Sequence, residues 1–345
     1  MKSCNAMKDL KDHTREELRE IFRSLGEPAY REQQVFRWMA RGVESVGDMT
    51  DLPARLRDSL SEHFAFGTLE VEREQVSKSD GTRKFLFRLP DGQKVEAVFM
   101  KYSYGNTLCL STQVGCAMGC RFCASGIDGK IRDLAAWEML YQYTACLAKT
   151  GEPVSHIVLM GMGEPFDNYG EVSKFLHAMH DPDGIGMSYR NMTVSTCGLV
   201  PGILQFSLDF PQAGLAVSLH AASQEERLAI MPVAQAWPLE ELIEACKTYT
   251  ERTRRRITFE YALISGANDD DAHALQLAEL LKGMLCHVNL IPLNPVSDIA
   301  LAGSSRDRAV RFAETLERKG IPATVRRQLG SDIDAACGQL RRNTL

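Results

Sequence analysis

The 345-residue sequence has no apolar run approaching the ~18 residues that a membrane-spanning helix requires. Nor does it have an excess of positive charge: 40 Lys and Arg stand against 45 Asp and Glu, a net charge of -5, with a pI near 6.0. A dedicated nucleic-acid module usually carries a surplus of Lys and Arg, so this balance gives no sign of such a partner. The opening stretch, MKSCNAMKDLKDHTREE, is too charged for a secretory signal. These absences predict a cytoplasmic protein with no membrane partner. No repeat, low-complexity tract or long linker interrupts the chain, which excludes a solenoid or a tethered array.

What is present is an ordinary globular composition, 44% hydrophobic and 25% charged. A chain this long buries one large core, or one large and one small, and is no disulfide scaffold. Its ten cysteines, in a reducing compartment, suggest metal or redox chemistry. The first block is helical. Thr14 and Glu17 form a capping box ahead of Leu18, Ile21, Phe22 and Leu25, and Gly26 with Pro28 ends that helix. A second helix carries Val35, Phe36, Trp38 and Met39, and Pro53 opens a third with Leu56 and Leu60 inward. The second block alternates. Asp80-Gly81 and Asp91-Gly92 separate the strand-like runs 69–76, 85–89 and 95–100, which predicts an antiparallel meander.

From residue 107 onward, short apolar runs alternate with amphipathic stretches, the pattern of a parallel βα protein. Strands are expected at 107–112, 156–160, 192–196, 215–219, 257–263 and 287–291, with a late seventh at 323–326. Helices are expected at 135–147, 172–179, 239–249, 271–281 and 306–318. Six βα units are too few to close a full barrel, so a partial barrel and an open doubly wound sheet both fit.

Just past the first of these strands the chain reads Cys116-Ala-Met-Gly-Cys120-Arg-Phe-Cys123. Three soft thiolate ligands suit zinc, copper(I) or iron with sulfide. Neither a second Cys-x-x-Cys nor a His-x3-His follows to complete a structural zinc site. Three ligands on a four-iron cube leave one iron open to chelate a substrate, and Gly115, Gly119 and Gly126 give the loop freedom to wrap a cluster. Met160-Gly-Met-Gly-Glu164-Pro165 follows the second strand, where Glu164 supplies a cation-binding carboxylate. Ser195, His220 and Asn294 sit at or just after other strand ends, where βα folds place ligands. Taken singly they read as a helix cap, a satisfied core histidine and a turn former. Cys146, Cys197, Cys246 and Cys286 read as buried small hydrophobes.

The Cys-x3-Cys-x2-Cys loop after a first βα strand, with the Gly-Met-Gly-Glu stretch, resembles the radical S-adenosylmethionine (SAM) superfamily. Cys109, and Cys337 within Gly330-Ser-Asp-Ile-Asp-Ala-Ala-Cys337-Gly-Gln-Leu340, narrow the resemblance to its RNA adenine methyltransferases, over nearly the whole chain. The resemblance implies an α/β fold: a partial (β/α)6 radical SAM barrel at 105–325, a small N-terminal helical accessory, RNA-binding domain at 1–66, a β-hairpin connector at 67–104 and a C-terminal loop at 326–345. It implies that Cys116, Cys120 and Cys123 ligate a 4Fe-4S cluster. It places SAM on Gly163, Glu164, Ser195, Ser218, Leu219, His220 and Asn294. Cys337 would carry the methyl group, Cys109 would be its partner, and Glu96 would be the proton acceptor.

The implied activity is C2 methylation of adenosine 2503 in 23S rRNA and of adenosine 37 in some tRNAs, with two SAM per turnover. In that mechanism SAM methylates Cys337, a second SAM yields a 5'-deoxyadenosyl radical, and the resulting methylene radical adds to the electron-poor C2. Cys109 then attacks Cys337 and forms a disulfide. An electron donor such as flavodoxin or ferredoxin and a thiol reductant would complete the cycle. Val114 favours this branch over C8-methylating antibiotic-resistance relatives, which tend to carry cysteine there, while Asp133 stands where many members have asparagine. A non-catalytic zinc-binding interaction protein is the alternative from another class. Arg254 to Arg256, Arg326-Arg327, Arg341-Arg342 and the N-terminal arginines 15, 19, 23, 31, 37 and 41 are candidate phosphate contacts, diluted by neighbouring glutamates.

Overall fold

The computed structural model describes residues 8–296 and 299–341; Cys4, Arg342 and the first seven residues of the charged N-terminal stretch lie outside the described residues. Helix α1 (Arg15–Ser24) starts at the capping box: Glu17 N donates to Thr14 Oγ1 and Thr14 N donates to Glu17 Oε2 at 2.8 Å. Helix α2 (Tyr30–Ala40) follows, and Pro53 is the N-cap of α3 (Ala54–His63). Leu18 and Phe22, Val35 and Met39, and Leu56 and Leu60 meet in a core belonging to these helices.

The meander forms β1 (Glu70–Val76), β2 (Arg83–Arg88) and β3 (Lys94–Tyr102). Strand β3 pairs antiparallel with β4 (Gly105–Cys109), setting Val98 opposite Cys109, so the meander continues into the main sheet. A separate two-residue ladder joins β5 (Gln113–Val114) to β6 (Arg132–Asp133). Beyond it come α4 (Ala136–Thr150), β7 (His156–Leu159), α5 (Tyr169–His180), β8 (Met192–Thr196), α6 (Val200–Asp209), β9 (Gly214–Ser218) and α7 (Gln224–Ile230). The chain goes on through α8 (Leu239–Thr253), β10 (Ile257–Leu263), α9 (Asp271–Leu280), β11 (Cys286–Pro292), α10 (Arg306–Arg318) and β12 (Ala323–Val325).

The ten-stranded sheet runs β1-β2-β3-β4-β7-β8-β9-β10-β11-β12, with β1 and β12 at its edges, so it does not close. From β4 to β12 all pairings are parallel. This strand order never reverses. Right-handed crossovers that always step the same way put every helix on one face, whereas a doubly wound sheet needs a reversal point. The topology is therefore that of a partial barrel, and its inner face is left for a site.

Two helices go unforeseen from sequence, α6 and α7. Pro and Gly are both poor helix formers, yet Pro201 falls in the first turn of α6, where its missing N–H is harmless. Gly202 is there because a Cβ would come within 2.7 Å of the Phe166 ring. Helix α7 has only seven residues and announces itself only by its cap, where Ser223 Oγ accepts from Glu226 N. Among the described residues, no helix is long and apolar enough to cross a membrane.

Candidate active site

The β5/β6 ladder clamps the base of the cysteine loop, and Ile131 N donates to Val114 O at 2.8 Å. Gly115 turns the chain at φ +77, and a Cβ there would lie 1.9 Å from Gly129 O. Gly119 is also left-handed, at φ +63, whereas Gly126 sits in an ordinary 3-10 turn and has no such requirement. The loop brings Cys116, Cys120 and Cys123 to the wall of one cavity of about 150 Å³. Burial pushes the Cys116 thiol up to about 12 and raises Cys120 and Cys123 as well, so a ligand must displace their protons.

The rest of the cavity comes from the C-terminal ends of the parallel strands. Gly163 and Glu164 follow β7, Ser195 is the last residue but one of β8, Ser218 and His220 end and follow β9, and Asn294 follows β11. Glu164 is buried. Its Oε2 accepts from Cys197 N at 2.7 Å and its Oε1 from Phe166 N at 3.0 Å, while burial raises its pKa against those two donors. A cation beside it would relieve that penalty. His220 holds φ 59, rare for a non-glycine residue. Its Nδ1 accepts from Ala262 N at 2.9 Å, and burial lowers its pKa to about 3, so the ring is neutral with its proton on Nε2. The half-satisfied histidine thus keeps one donor. Leu219 does not line the cavity; it is fully buried, and its N donates to Glu260 O at 3.0 Å.

Cys337 lines the same cavity and a smaller one of about 30 Å³, where it meets Cys109, the last residue of β4. Both are free thiols. Burial, with Cys337 next, pushes the Cys109 thiol up to about 12. Arg326 and Asn294 border both cavities. The segment around Cys337 is strapped down by hydrogen bonds. Ala124 N donates to Gly338 O at 2.7 Å, Ser125 Oγ to Leu340 O at 2.7 Å, and Asn294 Nδ2 to Cys337 O at 3.1 Å. Glu96 lies behind this strap and does not reach either cavity. Its carboxylate is 3.2 Å from Lys84 Nζ and accepts from Arg341 N at 2.9 Å.

Profiles of known families match two stretches of the chain: the ribosomal RNA large subunit methyltransferase N-terminal domain over residues 8–66 and the radical SAM superfamily over 110–278. A protein of Thermoanaerobacter sp. (strain X514) named probable dual-specificity RNA methyltransferase RlmN is 51% identical over 340 residues, 98% of this chain and 99% of that one. The chain belongs to the RlmN family of radical SAM RNA methyltransferases. A Clostridioides difficile (strain 630) protein of the same name is 46% identical over 96% of this chain and 97% of its own. The crystal structure of a radical SAM methyltransferase from Sphaerobacter thermophilus superposes with a TM-score of 0.92 at 46% identity, covering 97% of this chain and all of that one.

The radical SAM superfamily uses SAM with a 4Fe-4S cluster, and the donor set here fits one. Three soft thiols share a cavity wall, and among the described residues they form no compact single-ion group. Three site residues escape the sequence reading of ligands. Gln113 Oε1 accepts from Glu164 N at 2.8 Å while its Nε2 donates to Asp133 and Asp167, tying the acidic loop to the cysteine loop. Asp133 accepts that contact through Oδ1 at 2.7 Å. Glu260 lines the cavity with Arg326 3.7 Å away. A lone glutamate inside the apolar run 257–263 is the signal that could have found it. Arg326 borders this interior and also a cavity of about 550 Å³ that it shares with Arg306 and Arg327. Val114 is buried in the ladder and lines neither cavity, so its bearing on C2 against C8 rests on resemblance alone.

Proposed function

We propose that this chain methylates C2 of adenosine 2503 in 23S rRNA and of adenosine 37 in some tRNAs, through S-methylated Cys337 and with two SAM per turnover. The observation that carries this reading is the placement of Cys337: it borders the three-thiol cavity on one side and faces Cys109 across the small cavity on the other. A thiolate there can take a methyl group from a SAM whose amino group rests against Glu164. Cys116, Cys120 and Cys123 would hold the cluster, which with SAM supplies the 5'-deoxyadenosyl radical that activates the methyl carbon. Adenine C2 is electron-poor, so a carbon radical succeeds there where polar methyl transfer fails. Cys109 is then within the same cavity as the sulfur that must leave, and a Cys109–Cys337 disulfide frees the RNA. Glu96 is the proposed proton acceptor, reaching the C-terminal segment at Arg341. Gly163, Ser195, Ser218, His220 and Asn294 complete the wall of the SAM site, with Leu219 buried behind it between Ser218 and His220. A flavodoxin or ferredoxin and a thiol reductant are the proposed electron sources, in the cytoplasm.

The test is to digest 23S rRNA and tRNA from a strain lacking the gene and to quantify 2-methyladenosine and 8-methyladenosine. Loss of 2-methyladenosine is expected; unchanged levels of both would defeat the reading.

A further inference from the structure

Arg227, on α7, is 0% exposed, yet it has no carboxylate partner among the described residues. Its Nη2 donates to Cys197 O at 2.6 Å and to Ser218 O at 3.4 Å, two carbonyls at the ends of β8 and β9. Its Nε and Nη1 are buried without any partner. Taking a guanidinium out of water costs far more than two carbonyl hydrogen bonds return, so such a cation needs an anion nearby. The ionisable groups around it are Cys197, Cys120 and Cys246, with the neutral His220. The end of α7 and the turn after it brace the cysteine loop: Arg121 N donates to Ile230 O at 2.9 Å, and Pro232 lies 3.8 Å from a Cβ placed on Gly119. Arg227 is not among the residues lining the cavity, so it stands one layer behind the wall and does not touch SAM.

We propose that Arg227 is a built-in counter-charge for the iron–sulfur cluster, a positioning residue that offsets the negative charge of the thiolate-bound cube and favours its reduced form. The inference rests on the reading that Cys116, Cys120 and Cys123 hold that cluster. Three thiolates make the cluster site anionic, and taking one electron from a donor makes it one unit more negative. A fixed cation in a desolvated layer stabilises the product of that step more than its reactant. No proton on Arg227 has to move, because guanidinium stays charged.

The test is a one-electron redox titration of the reconstituted full-length protein, followed by EPR, with iron and sulfide measured on each sample. Arg227→Met is expected to lower the ratio of reduced to oxidised cluster about tenfold at a fixed poise, a shift of about 59 mV for one electron. Arg227→Lys, which keeps the charge, is expected to stay near the wild type. Loss of iron from Arg227→Met with retention by Arg227→Lys also supports the counter-charge. An unmoved potential in Arg227→Met overturns it. So does equal damage to cluster or folding in both variants, which would make the guanidinium's shape, not its charge, the essential feature. A wild-type protein that takes up no iron and sulfide would instead bring down the cluster reading itself, and this inference with it.

Discussion

Gly115 governs how tightly the cysteine loop can turn. At φ +77, with Gly129 O where a Cβ would stand, any side chain must open the β5/β6 clamp. Gly115→Ala is expected to cost about 1–3 kcal/mol and to lower iron uptake on reconstitution, read by denaturant unfolding and an iron assay. Cys337 and Cys109 divide the covalent work in the proposed mechanism. Cys337→Ala is expected to abolish RNA methylation while SAM cleavage to 5'-deoxyadenosine continues; normal turnover by this variant would remove Cys337 from the mechanism. The three-cysteine motif and Glu164 are legible in the sequence because ligand type and spacing are local properties. Gln113, Glu260 and the unpaired Arg227 are not, because their meaning lies in partners from other strands.

At the scale of elements, the β5/β6 ladder and α6 matter most. The ladder is two residues long on each side and would be negligible alone; here it fixes both ends of a ligand-bearing loop. Helix α6 packs through Gly202 onto Phe166, the residue whose N donates to Glu164. Gly202→Ala is expected to displace Phe166, to cost about 1–3 kcal/mol and to weaken SAM binding, measurable by calorimetry on the purified protein. Unchanged stability and affinity would show that the Phe166 side chain gives way freely. The expected strands follow from apolar runs to within three residues, since period and burial coincide there, whereas the two-residue β5 and β6 have no such run. Helix α6 escapes because the same Pro-Gly pair that ends helices elsewhere is here accommodated by its position and by the neighbour it must approach.

For the whole molecule, the notable joint is between the N-terminal helices and the outer wall of the barrel. Arg15 pairs with Glu32 on its own side and with Asp181 and Asp183 beyond α5, at 3.0 and 2.9 Å. Most of the other N-terminal arginines are likewise paired, Arg19 with Glu16, Arg23 with Glu20, Arg31 with Glu27 and Arg37 with Asp183. A cavity of about 500 Å³ lies at this joint, bordered by Asp12, His13, Phe36, Trp137 and Tyr141. Burial, with Asp9 and Glu171 adding to it, raises Asp12 to about 6. A carboxyl whose folded pKa is raised takes up a proton on folding, so its contribution is present below about pH 4 and is lost as pH rises through about 6. Thermal stability is therefore expected to fall between about pH 4 and 6 and to level off above that, and Asp12→Asn to flatten that slope; an identical slope in the variant would assign it to another group.

Composition and motif spacing determine by themselves that this is a large mixed α/β chain with a three-thiol loop near its first barrel strand. Those properties are carried by residue type and by distances along the chain. The tertiary structure alone decides between partial barrel and doubly wound sheet, because only strand order shows that the crossovers never reverse. It alone brings Cys337 to Cys109 and ties the segment around Cys337 down over the cysteine loop. It also corrects the reading of charge. A net charge of -5 averages over N-terminal arginines that are mostly ion-paired, Arg326 at the cavities and Arg227 behind the cysteines, and such placement has no trace in a sum.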